Sequence, residues 1–170
     1  LSSLTVFVDG EATELALAQG PFSATVSLSD GSNEITVVAT DLAGNETSSE
    51  AGAVTVDVSA PTTAPVSLSA TPTSDARGVR LTWPADENAA AYTLYRSSVA
   101  FTDGSGLTPV VAGVAGTSYT DNAVLSGSTV HYAVASVDAA GNSDPSVISP
   151  VLATAFIKDR GGVALRADGT

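Results

Sequence analysis

Short runs of alternating apolar and polar residues, separated by Gly, Asn, Asp and Pro, recur along the whole chain. The segments LTVFV (residues 4–8), GVRLTW (78–83) and TVHYAVASVD (129–138) are typical examples. Alternation with a period of two places successive side chains on opposite faces of a β-strand, whereas an amphipathic helix needs a period of about 3.6. We find no stretch with a helical apolar stripe, so the sequence predicts an all-β protein.

The same pattern predicts the positions of individual strands. In the first part of the chain we expect strands at residues 4–8, 14–18, 22–28, 33–41 and 53–59. In the second part we expect strands at residues 66–70, 78–83, 91–97, 109–114, 117–121, 129–138 and 147–153. The pair Asp9-Gly10 predicts a tight hairpin turn, because both residues tolerate a positive φ.

The stretch SAPTTAPV, residues 59–66, separates the two groups of strands. Pro61 and Pro65 have a fixed φ and no backbone N–H, so this stretch favours an extended linker over a central strand. A chain of 170 residues has room for one sandwich of about 100 residues and part of a second. We therefore predict one domain at residues 1–59 and another at 60–154, with 155–170 as a tail or the start of a further domain.

The net charge of −12 is unevenly distributed. Residues 1–60 contain no Lys or Arg but nine acidic residues: Asp9, Glu11, Glu14, Asp30, Glu34, Asp41, Glu46, Glu50 and Asp57. Such a surface repels phosphate groups, which argues against nucleic-acid and anionic-lipid partners and leaves divalent cations or basic partners. The chain has no Cys for disulfides or thiolate metal sites, and we see no apolar run long enough to insert in a membrane.

Residues 64–154 resemble bacterial fibronectin type III domains. The resemblance rests on Trp83 at the end of an early strand, on AYTLYRS (91–97) and on HYAVASVDAAGNSDPS (131–146). That family places a corner tyrosine six residues after a leucine, whereas here Val130 follows Val124 at that spacing. We therefore expect a looser corner, with Tyr132 not replacing the family's hydrogen bond.

Residues 22–45, FSATVSLSDGSNEITVVATDLAGN, resemble the end of a bacterial Ig-like domain. That family carries two further strands ahead of the one matched by residues 4–8, so the resemblance is to a partial domain. Together the two resemblances imply two immunoglobulin-like/fibronectin type III-like β-sandwiches in tandem. They also imply a secreted or surface-exposed bacterial protein.

The motif DLAGN at residues 41–45 returns as DAAGN at 138–142. An Asp can accept hydrogen bonds from backbone N–H groups just ahead of it, while Gly takes the left-handed conformation, so we interpret both copies as turns. The alternative is calcium, with Asp41, Asp57 and Asp138 as candidate ligands. Neither copy has the ligand spacing of an EF-hand loop, which leaves a site built from Asp57 and neighbouring loop acids.

Catalytic motifs are lacking in the sequence. His131 is the one histidine, no G-x-S-x-G elbow accompanies it, and no phosphate-binding glycine loop or zinc-ligand cluster occurs. We therefore predict that the protein is not an enzyme and needs no cofactor, apart from the calcium alternative. Exposed aromatic side chains would favour polysaccharide binding, and Tyr95, Tyr119 and Phe101 are the candidates for that role.

The function predicted from these features is a non-catalytic extracellular spacer or adhesive module in a larger bacterial surface or secreted protein. Its partners are then neighbouring domains or other copies of the chain. One alternative is an extracellular fibre assembled by strand exchange, with the basic tail (Lys158, Arg160 and Arg166) inserted in the acidic first module of another copy. Another is a carbohydrate-binding accessory module of a polysaccharide-degrading enzyme.

Overall fold

The computed structural model describes residues 1–15, 22–73, 78–125, 127–159 and 162–166. Within these residues every regular element is a β-strand, which confirms the predicted all-β class. None of the described residues belongs to a helix long and apolar enough to cross a membrane. The chain divides into two compact units, Leu1–Ser59 and Ala60–Thr170.

The first unit contains one antiparallel sheet. Its strands are β1 (Ser3–Val8), β2 (Glu11–Leu15), β3 (Gly31–Thr40), β4 (Glu46–Ser48) and β5 (Gly52–Val56). The order is β2-β1-β3-β4, and β5 pairs with the start of β3. The predicted hairpin turn joins β1 to β2, with φ of 51° at Asp9 and 84° at Gly10. The structure adds the short strand β4, which the sequence did not predict.

One face of this sheet is apolar because the register aligns apolar residues. Val6 is paired with Val37, and Leu4 with Leu15. Val6 is buried, at 7% exposed, whereas the other three side chains are only half-buried. The prediction of a strand at residues 22–28 is wrong, because this segment belongs to no strand. Residues 16–18 of the predicted second strand lie outside the described residues.

The second unit contains two sheets. Its strands are β6 (Ser69–Pro72), β7 (Val79–Thr82), β8 (Ala91–Ser97), β9 (Pro109–Val114), β10 (Ser118–Asp121), β11 (Ser128–Val137), β12 (Leu152–Asp159) and β13 (Gly162–Arg166). The sheets have the orders β10-β7-β6 and β13-β12-β11-β8-β9. The predicted strands at residues 91–97 and 109–114 agree with β8 and β9 at both ends.

The core of the second unit lies between these sheets. The predicted inward-facing sets around β7 and β11 are confirmed: Val79, Leu81 and Trp83 on one side, and Val130, Tyr132 and Val134 on the other. Their alternation with polar neighbours places every second side chain inside. The Trp83 ring meets the Tyr92 ring edge to face, with 5.5 Å between the centroids.

The last strands extend further than predicted. We expected a strand at residues 147–153, but β12 begins at Leu152 and continues to Asp159, where β13 pairs with it. Ser149 instead lies beside β11, where its N–H donates to the carbonyl of Val134 and its hydroxyl accepts from the N–H of Val134. Residues 155–159 and 162–166 therefore form backbone ladders of the same sheet, rather than lying beyond its last strand.

Candidate functional site

The first copy of the repeated motif is a closed turn built around the Asp41 carboxylate. Its Oδ1 accepts hydrogen bonds from the N–H groups of Ala43 (2.8 Å) and Asn45 (2.9 Å), and its Oδ2 accepts one from Nδ2 of Asn45 (2.8 Å). Gly44 takes the left-handed conformation, with φ of 86°. The side-chain amide and the backbone N–H of Asn45 lower the pKa of Asp41 below its usual range.

The second copy repeats this geometry. The N–H of Asn142 donates to Asp138 Oδ1 at 2.8 Å, and Nδ2 of Asn142 donates to Oδ2 at 3.0 Å. Gly141 has φ of 94°. Led by the side-chain amide of Asn142, these donors lower the pKa of Asp138. The motif recurs because each copy closes a strand with the same set of hydrogen bonds.

The three candidate calcium ligands are all engaged with nearby residues. Asp57 Oδ1 accepts a hydrogen bond from the N–H of Ser59 at 3.1 Å, while Asp41 and Asp138 serve their own turns. In the part of the chain that the structure describes, no group of three or more His, Cys, Asp or Glu side chains is arranged to hold a metal ion. The calcium alternative is a question for direct measurement.

Sequence reasoning missed a polar cluster at Asp86, which connects the linker to the second sandwich. Its Oδ1 accepts from the Thr63 hydroxyl (3.2 Å) and the Asn88 N–H (3.0 Å), and its Oδ2 accepts from the Ser136 hydroxyl (2.9 Å). Its own N–H donates to the Tyr92 hydroxyl at 2.9 Å. Partial burial raises the pKa of Asp86, but the hydrogen bonds, led by the Asn88 N–H, outweigh burial and lower it.

A second missed cluster lies where β10 leads into β11. Asp121 is 2% exposed, and its Oδ2 accepts from Arg96 Nη1 and from the Tyr132 hydroxyl, each at 2.7 Å. Its Oδ1 accepts from the N–H of Ala123 at 2.9 Å. The expectation that Tyr132 makes no corner hydrogen bond is therefore wrong. Burial, followed by the hydrogen bond to Asp121, raises the pKa of Tyr132 far above its usual range.

The single histidine is not part of a catalytic group among the described residues. His131 lies on β11 opposite Ser97 and Ala153, and its Nδ1 is buried without a hydrogen-bond partner there. Trp83 Nε1 is likewise buried and unpartnered in the described structure.

The aromatic candidates for sugar binding are largely covered. Tyr95 is 6% exposed, and Tyr119 packs against the core cluster. Phe101 is half-buried. Gly104 lies so close to the Tyr95 ring that a Cβ there would be 2.9 Å from it, which shows how tightly the 98–107 loop covers this face. Flat stacking on these three rings is therefore restricted.

Shallow cavities occur in each unit. A cavity of about 360 Å³ is bordered by Thr63, Pro65, Asp86 and Asn88, beside the linker. A cavity of about 330 Å³ in the first unit is lined mainly by apolar side chains of β1, β3 and the 22–28 segment. The first is bordered by the Asp86 cluster, whereas the second borders the apolar face of a sheet.

Comparisons with known proteins agree with this architecture. The FN1–FN3 domains of chicken CNTN1 superpose on 89% of this chain and 54% of theirs, with a TM-score of 0.51 and 15% identity. The fold is fibronectin type III-like and immunoglobulin-like. This confirms the predicted class of β-sandwich. A family model described as glucodextranase, domain B, matches residues 2–60. A comparison with curated proteins found no significant match.

Two bacterial structures also match over part of the chain. An Fn3-like protein from Clostridium thermocellum is 29% identical over 52% of this chain and 86% of its own, with a TM-score of 0.45. A β-1,2-glucanase from Parabacteroides distasonis is 26% identical over 68% of this chain, with a TM-score of 0.43. The match spans 16% of the glucanase.

Proposed function

We propose that this chain is a non-catalytic accessory segment of a larger extracellular bacterial protein and that it spaces the domains on either side of it. The observation that carries this proposal is that several carboxylates of the chain accept hydrogen bonds within the fold. Asp41, Asp86, Asp121 and Asp138 each accept several hydrogen bonds from their own turn, linker or corner. A carboxylate whose oxygens accept hydrogen bonds from its own turn, linker or corner serves to hold the fold together.

The family match of the first unit supports the proposed role as part of a larger protein. Residues 2–60 match a family model named for one domain of glucodextranase, which is consistent with an accessory position beside other domains. The polar cluster at Asp86 adds a structural reason, because it attaches the linker residue Thr63 to the second sandwich. A spacer needs such attachment, since a free linker lets adjacent domains reorient.

The observations favour the spacer over the two alternatives. A fibre joined by tail insertion requires residues 155–166 to leave their own sheet, where β12 and β13 already pair. A carbohydrate-binding module requires an exposed aromatic surface, and Tyr95 is nearly fully buried. The strand pairing of the tail and the burial of Tyr95 therefore support the spacer role.

Single-molecule energy transfer tests the spacer role directly. The chain is placed between two fluorescent proteins and compared with a Gly/Ser linker of equal length. We expect a narrower distance distribution than that of the flexible control. A distribution as broad as that of the Gly/Ser linker contradicts the proposal. Release of sugars from soluble glucans by the isolated chain would also contradict it.

A further inference from the structure

The segment formed by residues 22–28, FSATVSL, pairs with none of the described β-strands. Apolar and polar residues alternate along it, as in a strand that buries one face. Yet none of its backbone N–H and C=O groups forms a hydrogen bond with any other described residue. We call this stretch the acceptor segment. Free N–H and C=O groups along an alternating segment are a template for pairing with another strand.

The acceptor segment borders an apolar cavity of about 330 Å³, which we call the acceptor groove. Its apolar lining consists mainly of Leu4, Val6, Phe22, Val26, Ile35 and Val37. Phe22 remains 43% exposed, and Val6, at 7% exposed, is the one buried hydrophobic side chain of the described first unit. The sheet therefore has an apolar face that the acceptor segment covers only in part.

The far end of the acceptor segment is firmly held. Asn33 is 1% exposed, its Oδ1 accepts the N–H of Ser29, and its Nδ2 donates to the carbonyls of Ser29 and Gly31. Asp30 also accepts from the N–H of Val58 and the Ser59 hydroxyl. The segment is thus anchored at this end, while its own backbone groups pair with none of the described residues.

We propose that the acceptor segment binds an extended peptide strand of another polypeptide, with alternating apolar side chains and Lys or Arg at its ends. Backbone hydrogen bonds to residues 22–28 supply the pairing, and the alternate apolar side chains enter the acceptor groove. The basic ends follow from charge, because residues 1–60 carry nine acids and no Lys or Arg. This docking role goes beyond the proposed spacer function and does not depend on it.

Synthetic peptides test the proposal on the whole chain. A nine-residue peptide alternating Val with Thr, with two Lys at each end, is compared with the same peptide carrying Glu at each end. We expect the Lys peptide to shift the amide NMR signals of residues 22–28 and to protect them from hydrogen exchange. Its affinity should be several-fold higher than that of the Glu peptide and should fall as salt is added.

Two variants with the same added charge separate groove binding from general attraction. Val26→Asp places an acid at a half-buried groove position, whereas Ser27→Asp places it on an exposed neighbour. We expect loss of Lys-peptide binding in the first and retention in the second. Amide spectra of β1 and β3 report whether the Val26→Asp sheet stays folded, and Val26→Thr is the milder substitute if it does not.

Three outcomes would overturn the proposal. The first is equal binding of the Lys and Glu peptides, and the second is equal loss in both Asp variants. The third is a shift of the residue 22–28 signals with protein concentration alone, without competition by the Lys peptide. That result would assign the acceptor segment to a second copy of the chain, and sedimentation velocity would show the dimer.

Discussion

The Tyr132 hydroxyl donates a hydrogen bond of 2.7 Å to the carboxylate of Asp121, eleven residues earlier in the chain. Arg96 donates to the same oxygen, so one buried carboxylate joins three strands of two sheets. A buried charge of this kind is stable only when its acceptor sites are used. The corner between β10 and β11 is therefore held by an ion pair and a phenol together.

Removal of the Tyr132 hydroxyl should destabilise the second unit. We expect Tyr132→Phe to lower the free energy of unfolding by about 1–3 kcal/mol, because Asp121 loses one of its donors in a buried site. Chemical denaturation followed by Trp83 fluorescence measures this change. Tyr119→Phe is the matched control, because Tyr119 makes no hydroxyl hydrogen bond with the described residues. Equal effects of the two changes would contradict the role assigned to the corner.

The two motif glycines should tolerate substitution poorly. Gly44 and Gly141 have φ of 86° and 94°, so alanine there adopts a left-handed conformation that costs about 1–2 kcal/mol. We expect Gly44→Ala and Gly141→Ala each to lower stability by this amount in thermal or denaturant unfolding. Gly116→Ala is the control, since Gly116 has no positive φ and a Cβ there meets nothing within 4 Å. No difference from this control would show that the turns relax without cost.

Stability should fall as acid protonates the turn carboxylates. The pKa values of Asp41, Asp86 and Asp138 are lowered in the folded chain, so the unfolded chain binds protons first as pH falls. Their stabilising contribution is therefore complete above the unfolded pKa of about 4 and is lost as pH falls through the folded values. Unfolding measured between neutral pH and about pH 2 checks this trend. Asp86→Asn should reduce the pH dependence, and an unchanged slope would contradict the contribution of Asp86.

Calcium should leave the melting temperature unchanged. Asp41 and Asp138 are held by turn hydrogen bonds, and ligands of calcium must converge in groups of six to eight oxygens. Differential scanning fluorimetry with and without millimolar calcium measures the shift. A rise in melting temperature that disappears in Asp57→Asn would establish the site built from Asp57 that the sequence left open.

The loop over Tyr95 should be sensitive to a single methyl group. A Cβ at Gly104 would lie 2.9 Å from the Tyr95 ring and 3.0 Å from the Pro145 carbonyl oxygen, which is too close for undisturbed packing. We expect Gly104→Ala to expose the Tyr95 ring and to lower stability by about 1–3 kcal/mol. Hydrogen exchange of the 98–107 loop and ring NMR signals measure the change. Unchanged protection would contradict close packing at this position.

Local features of the fold were predictable from the sequence because they depend on neighbouring residues. Alternation placed Val79, Leu81 and Trp83 inside, and Gly44 and Gly141 marked turns by a conformation that other residues avoid. For β8 and β9 the predicted first and last residues were both correct, because turn residues bound the apolar runs there. The prediction of a strand at residues 22–28 was wrong, because alternation shows only that a segment can form a strand. It does not show that a partner strand is present.

The clusters at Asp86 and Asp121 could not be predicted in this way. Thr63 and Ser136 reach Asp86 from distant parts of the chain, and Arg96 and Tyr132 reach Asp121 from strands on either side of the corner. In the sequence these are isolated polar residues among many others. The sequence alone thus determined the β class and the turns, which follow from backbone preferences of adjacent residues. Only the tertiary structure decided which carboxylates are buried, because burial depends on the packing of residues far apart in the chain.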